Sequence, residues 1–325
     1  MEFDKALEGF FLAKKADGFS ASTIQSYYYS LTRLSDFLGN PDVNKITSKD
    51  LQRFFVWLRT DYIPNRKSKN VEPLSGRSIE ITWTAIRSFF AWCVIDHHIK
   101  KRPDLEIKRP EYTTEQREPF TQEEIKLLLA NAEYTKLANT KGRKAFKMRR
   151  PTADRDIAII MILLDTGIRI GELCRLTVGD VDIQSGSINV KPWGSGQKTK
   201  GRTVYIAKSA HKVIWKYLTL RGSVDENNFL FLDNHNKLPA NRNSIRLMLS
   251  DLGDKAGIPD VMPHRFRHSF CYWYIKNGGD PFTLIRLAGW SEKNGMSMAM
   301  KYVKMATNDA HEMHNRASPV DNWRL

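Results

Sequence analysis

The octapeptide PHRFRHSF, residues 263–270, sets two histidines and two arginines within five positions and closes on an aromatic ring. His264 and His268 are spaced i, i+4, which places two potential metal ligands on one helix face. No cluster of acids or cysteines accompanies them, and Arg265 and Arg267 would add positive charge beside a cation. Further upstream, LLDTGIRIGELCRL carries Arg169 just after Gly167. A glycine there can relax a tight turn and aim the guanidinium from a helix start; the plainer reading is a surface salt bridge to Glu172, three residues on. GSGQKTKG, residues 194–201, fails as a nucleotide loop because Gln197 stands where the motif needs glycine and a β-rich stretch follows. It reads instead as the reversal of a β-hairpin from which Lys198 and Lys200 project. Taken together, Arg169, Lys198, His264 and Arg267 suit one chemistry. Two guanidiniums can clamp the oxygens of a phosphodiester and match the charge of its transition state. A histidine can move protons near neutral pH, and a lysine can protonate a leaving alkoxide. None of this needs a metal or another cofactor. HEMH, residues 311–314, lacks one residue of the zinc-protease spacing and reads as a surface feature. Tyr302 lies among Met296, Met298, Met300 and Met305, and by composition alone it reads as core.

The chain that must position these groups has 325 residues, enough for two domains, and is 41% hydrophobic with a net charge of +15. Such an excess points to a polyanionic partner. No apolar run approaches the roughly 20 residues needed to span a bilayer. The longest candidate, Ile157 to Leu164, reads as a buried helix, and the mixed-charge N-terminus is not a signal peptide. The widely separated Cys93, Cys174 and Cys271 suit a reducing compartment rather than a disulfide framework.

The first hundred residues read as helices. Phe3, Leu7, Phe10 and Phe11 keep helical spacing, as do Tyr27, Leu31, Leu34 and Leu38 behind serine and threonine caps. Thr47 and Asp50 form a capping-box pattern ahead of Leu51, Phe54, Phe55 and Leu58, and LSGRSIEITWTAIRSFFAWCVI supplies a fourth helix. Residues 98–120 carry Pro103, Pro110 and Pro119 among charges and read as a linker. Both sides are basic, +5 up to residue 110 and +10 beyond it, so both can touch the same polyanion. A capped helix, FTQEEIKLLL, opens the second half, followed by seven Lys/Arg without an acid in residues 136–150. Two short strands, SINVKPW and RTVYIA, precede helices near 209–221, 241–256, 264–277, 281–289 and 296–306. The expectation is a mainly α protein with a small β-sheet.

TGIRIGEL, PHRFRHSF, LIRLAGWS and AMKYVKM, in this order, resemble the arginine, His-x-x-Arg-His, Leu-Gly-His/Trp and nucleophile boxes of the tyrosine recombinase, or phage integrase, family. The 23 residues from Arg267 to Trp290 agree with the family's gap, and SASTIQSYYYSLTRLSDFL resembles its helical core-binding domain. The resemblance implies a helical DNA-binding domain over 1–108, a linker over 109–117 and a mixed α/β catalytic domain over 118–325, forming a C-shaped clamp on double-stranded DNA. It implies site-specific recombination through a 3′-phosphotyrosine on Tyr302. Arg169 and Arg267 would hold the scissile phosphate, Lys198 (in preference to Lys200) would be the general acid, His264 would assist proton transfer on the tyrosine side, and Trp290 would donate a hydrogen bond. Trp290 stands where the family usually has histidine; indole donates one N–H but shuttles no proton. It precedes Tyr302 by 12 residues, so SEKNGMS reads as a small insertion. The resemblance further implies a homo-tetramer on paired sites, a tail that docks on a neighbouring protomer, an accessory DNA-bending protein in some systems, no membrane, and a cytoplasmic location on the bacterial nucleoid. The start of the chain leaves no arm-binding domain ahead of the helices, so the expectation is a simpler mobile-element integrase. A type IB topoisomerase and a non-catalytic DNA-binding regulator are the alternatives.

Overall fold

Caps written into the sequence decide where the first helices begin. In a computed structural model of the chain, the Ser20 hydroxyl accepts from Thr23 N–H and opens α2 (Ala21–Leu38), which follows α1 (Phe3–Ala16). Thr47 and Asp50 form the capping box expected of them at the start of α3 (Ser48–Thr60), and Ser75 caps α4 (Gly76–Ile95). Each cap satisfies backbone donors that the first turn cannot pair internally. The structure describes residues 1–65, 71–113, 117–135, 137, 145–193, 201–222, 224–233, 238–306, 314–315 and 318–323.

The chain divides into two compact units, Met1–Gln116 and Arg117–Leu325. In the first, α1 to α4 bury one apolar stripe each: Phe3 and Phe10, Leu31 and Leu34, Leu51 and Phe54, Phe89 and Phe90. Phe10 meets Phe89 edge-on at 5.5 Å between ring centroids. Burying one such ring contributes roughly 1.5–3 kcal/mol, so this cluster dominates the unit's stability. The proline-rich stretch after α4 is anchored rather than loose. Asp104, 1% exposed, takes Arg102, and Trp83 Nε1–H donates to the Ile107 carbonyl at 3.1 Å. Buried Glu80 on α4 gathers Arg109, Tyr112 and Arg77, which hold its carboxylate down to about 2, Arg109 contributing most. Buried carboxylates that need cationic partners tie down a segment whose composition alone suggests mobility.

The second unit opens with α5 (Gln122–Glu133), started by a Thr121/Glu124 capping box, and α6 (Ala153–Thr166). The apolar run in α6 is the core predicted for it: Ile159, Ile160, Ile162 and Leu163 are buried. After the short α7 (Ile170–Leu173) comes an antiparallel sheet of β1 (Val181–Asp182), β2 (Ser187–Val190) and β3 (Arg202–Tyr205), in that order. Ile188 pairs with Val181 on one side and Val204 on the other, so one face of the sheet enters the core. The sequence predicts two of these strands; β1 is two residues long and carries no readable alternation. Val190 pairs with Arg202, which makes β2–β3 a hairpin, while residues 194–200 between them lie outside the described residues. The unit continues with α8 (Lys208–Arg221), α9 (Arg242–Ala256), α10 (Pro263–Lys276), α11 (Pro281–Ala288), α12 (Glu292–Ala306) and α13 (Pro319–Trp323). SEKNGMS, read as a small insertion, forms from Glu292 on the first turns of α12.

Candidate active site

The turn between α6 and α7 aims Arg169. Gly167 ends α6 with φ +59, and a Cβ there would clash with the Phe270 ring of α10, so both the turn and the packing demand glycine. Arg169 follows as the cap of α7, half-exposed, with its main-chain N–H donating to Glu172 at 2.8 Å. The predicted pair with Glu172 exists, Nη1 to Oε1 at 3.0 Å, but its carboxylate is buried and not at the surface. That carboxylate also accepts two bonds from Arg202 of β3, at 3.1 and 2.8 Å.

Three guanidiniums then meet consecutive carbonyls at the end of α11. Arg202 Nε donates to Leu287 at 2.7 Å, Arg267 Nη2 to Ala288 at 2.7 Å and Arg169 Nη2 to Gly289 at 3.2 Å. The last carbonyls of a helix lack internal partners and carry the negative end of its dipole, so cations settle there. Arg267, 6% exposed, also donates Nη1 to the Gly167 carbonyl at 2.8 Å, which ties the α6 turn to α11. Burial first, and then the neighbouring Arg169 charge, bring its pKa down to about 10. The cations are therefore packed close enough to repel one another, an arrangement that an anion between them would relieve. Gly289 has φ +63, and a Cβ there would meet the Arg202 guanidinium at 2.8 Å.

The two arginines of PHRFRHSF separate by role. Arg265, 7% exposed, is spent on the Glu118 and Pro259 carbonyls and on Glu124, and holds α5 to α10. His264 at the start of α10 keeps an exposed edge, yet desolvation and then the charges of Arg267, Arg117 and Arg169 push its pKa below the ordinary range. It shares one electrostatic neighbourhood with the two predicted clamp arginines and is neutral at pH 7.

Trp290 follows the α11 end directly. Its ring lies 5.7 Å from the Arg267 guanidinium and stacks on Tyr302 of α12, centroids 5.9 Å apart and 9° between planes. Tyr302 is buried, 8% exposed, in a small cluster with Phe270, Cys271, Ile275 and Leu284. Burial is the main cause that raises its phenol well above 10, so the hydroxyl is protonated at rest. The structure thus brings Arg169, Arg267, Trp290 and Tyr302 into one connected set with His264 beside it; Lys198 lies outside the described residues. Sequence reasoning overlooks Arg202, whose signal is a cation four residues beyond Lys198 at the start of a strand. It weighs His268 as a metal candidate and as the last position of the His-x-x-Arg-His box but gives it no role at the phenol, whereas its Nδ1 lies 3.3 Å from the Tyr302 hydroxyl. Among the described residues there is no group of three His, Cys, Asp or Glu able to hold a metal ion.

Residues 118–309 match the phage integrase family, and residues 7–99 match the phage integrase N-terminal SAM-like domain. The chain belongs to the phage integrase family. It is a tyrosine-type, site-specific DNA recombinase. The recombinase is 26% identical to the tyrosine recombinase XerA of Thermococcus kodakarensis over 98% of each chain, and 25% identical to XerD of Listeria monocytogenes over 92% of this chain and 95% of that one. Its fold is that of the Tn1549 transposon integrase solved with transposon right end DNA, with a TM-score of 0.72 at 19% identity over 96% and 99% of the two chains. A lambda integrase dimer bound to a core site superposes with a TM-score of 0.66 at 15% identity, over 90% and 96%. Among the described residues of the recombinase, no helix is long and apolar enough to cross a membrane.

Proposed function

We propose that the recombinase cuts and rejoins DNA through a covalent 3′-phosphotyrosine on Tyr302, and that its biological task is the integration and excision of a mobile element. The scissile phosphate sits against Arg169 and Arg267, whose fixed donors stabilise the charge of the transition state. The Tyr302 oxygen attacks phosphorus, the bond to the 5′ oxygen breaks, and Lys198 supplies the proton to that leaving oxygen. His264 serves proton movement near the clamp, and Trp290 donates to a phosphate oxygen. The energy of the broken phosphodiester stays in the new ester, so a 5′-hydroxyl from a second duplex can reverse the step without ATP. Two such exchanges on paired sites, within a homo-tetramer, complete recombination.

One observation carries the reading: Arg169 and Arg267 are moored on adjacent carbonyls of α11 while Trp290 bridges Arg267 to Tyr302. Mere DNA binding requires no phenol at that place. The net charge of +15 supports binding through phosphates. The mobile-element reading draws on the fold shared with a transposon integrase. The test incubates full-length protein with nicked duplexes carrying candidate element ends. A protein–DNA adduct that survives denaturation is expected, with Tyr302→Phe abolishing it while leaving binding within about twofold. An adduct formed equally by Tyr302→Phe refutes the assignment. Products with exchanged flanks separate recombination from supercoil relaxation by a monomer.

A further inference from the structure

We infer that His268, rather than His264, is the residue that receives the phenol proton when Tyr302 attacks. The inference rests on the reading of Tyr302 as nucleophile and deepens it. His268 lies one helical turn beyond His264 on α10, and α12 packs against α10 so that the Tyr302 hydroxyl faces His268 Nδ1 at 3.3 Å, with ring centroids 5.3 Å apart. His264 forms no hydrogen bond with Tyr302 among the described residues and instead faces the cations Arg169, Arg267 and Arg117. A group that must take a proton from the phenol has to lie within hydrogen-bond reach of it, and His268 satisfies this.

The tautomer fits as well. Nδ1 must be unprotonated to accept, so the ring proton sits on Nε2. That edge is buried and has no hydrogen-bond partner among the described residues; the Arg117 main chain favours the protonated imidazole. The charged and titratable groups facing the ring are Arg117 and Glu118 ahead of α5, His264 and Arg265 on α10, and Tyr302 on α12. Desolvation outweighs the rest and keeps the imidazole below its ordinary 6.5, so it is neutral at physiological pH. The step balances: the O–H bond of Tyr302 breaks, a lone pair of its oxygen forms the P–O bond, the proton moves to Nδ1, and the 5′ oxygen leaves with the electron pair of its bond to phosphorus. On the return step, imidazolium protonates the departing phenolate. The buried, high-pKa phenol gains most from such a partner, because water cannot easily reach it.

The experiment uses full-length protein and single-turnover cleavage of the nicked duplex. His268→Asn keeps a polar group near the Nδ1 position but cannot take the proton. Cleavage is expected to fall about 100-fold, with DNA affinity and thermal midpoint close to wild type. Placing 3,5-difluorotyrosine at position 302, whose phenol ionises more readily, should recover most of that loss. Wild-type rate in His268→Asn, or an equal loss with the fluorinated phenol, overturns the inference. If wild type itself forms no Tyr302 adduct, the underlying reading fails instead. If His268→Asn does not fold, the pH profile of wild type decides, measured on a duplex whose 5′ bridging oxygen is sulfur and needs no proton to leave. A fall in rate on acidification below the ordinary imidazole range that persists in His264→Asn supports His268. Its absence, or its loss in His264→Asn, overturns it.

Discussion

Replacing Glu172 by glutamine keeps the shape of the side chain and removes the one charge that Arg169 and Arg202 share. The carboxylate is 3% exposed and accepts both Arg202 nitrogens, the Arg169 Nη1 and the Arg169 main-chain N–H. Burial alone would raise its pKa; Arg202 first and Arg169 second outweigh it and bring 4.5 down to about 2. That difference is worth about 3 kcal/mol at neutral pH, which agrees with the roughly 3–5 kcal/mol lost when one partner of a buried ion pair is removed. In Glu172→Gln, the buried Arg202 guanidinium keeps only a carbonyl and a neutral amide, and one amide nitrogen turns toward a cation. The expected result is about 3 kcal/mol of destabilisation, or a thermal midpoint lower by about 6–12 °C for a unit of this size. The carboxylate's contribution is fully present above pH 4.5 and is lost as the pH falls toward 2, so the gap between wild type and variant should close over that window. Urea unfolding of the full chain, followed at neutral pH and at steps down to pH 3, measures both. A variant within 1 kcal/mol of wild type at neutral pH, or a gap that stays constant on acidification, would refute the argument.

Arg267→Lys should lower single-turnover cleavage by about 100-fold or more, because an ammonium cannot span the Gly167 and Ala288 carbonyls and still face a phosphate. Rates measured at saturating DNA check it. Gly167→Ala should cost at least about 2 kcal/mol, since it forces a side chain into positive φ and against the Phe270 ring; thermal unfolding of the variant reads this directly.

Much of this architecture is legible in local pattern. The Thr47/Asp50 and Thr121/Glu124 caps, the apolar stripes of α1 to α4 and the buried run in α6 each follow from residues within a few positions of one another. Such signals survive in a linear reading because capping and helical periodicity are short-range physics. The motif order, with Arg169, His264, Arg267, Trp290 and Tyr302 in turn, is likewise written in the chain. What the pattern does not carry is which partners each member of a repeated type takes. Arg265 and Arg267 are two residues apart, yet one braces α5 and the other joins the α6 turn to α11.

By itself, then, the sequence determined the helical elements, the basic charge and the identity of the groups able to handle a phosphate. Only the tertiary structure decided that Arg202 and a buried Glu172 complete the cationic platform, and that His268 meets the phenol. Those decisions belong to contacts between residues 30 to 120 positions apart, such as Arg202 with Glu172 and Arg169 with Gly289. They arise from how α10, α11 and α12 pack on one another, and side-chain volume across a helix interface sets that packing, leaving no periodic trace along any single helix.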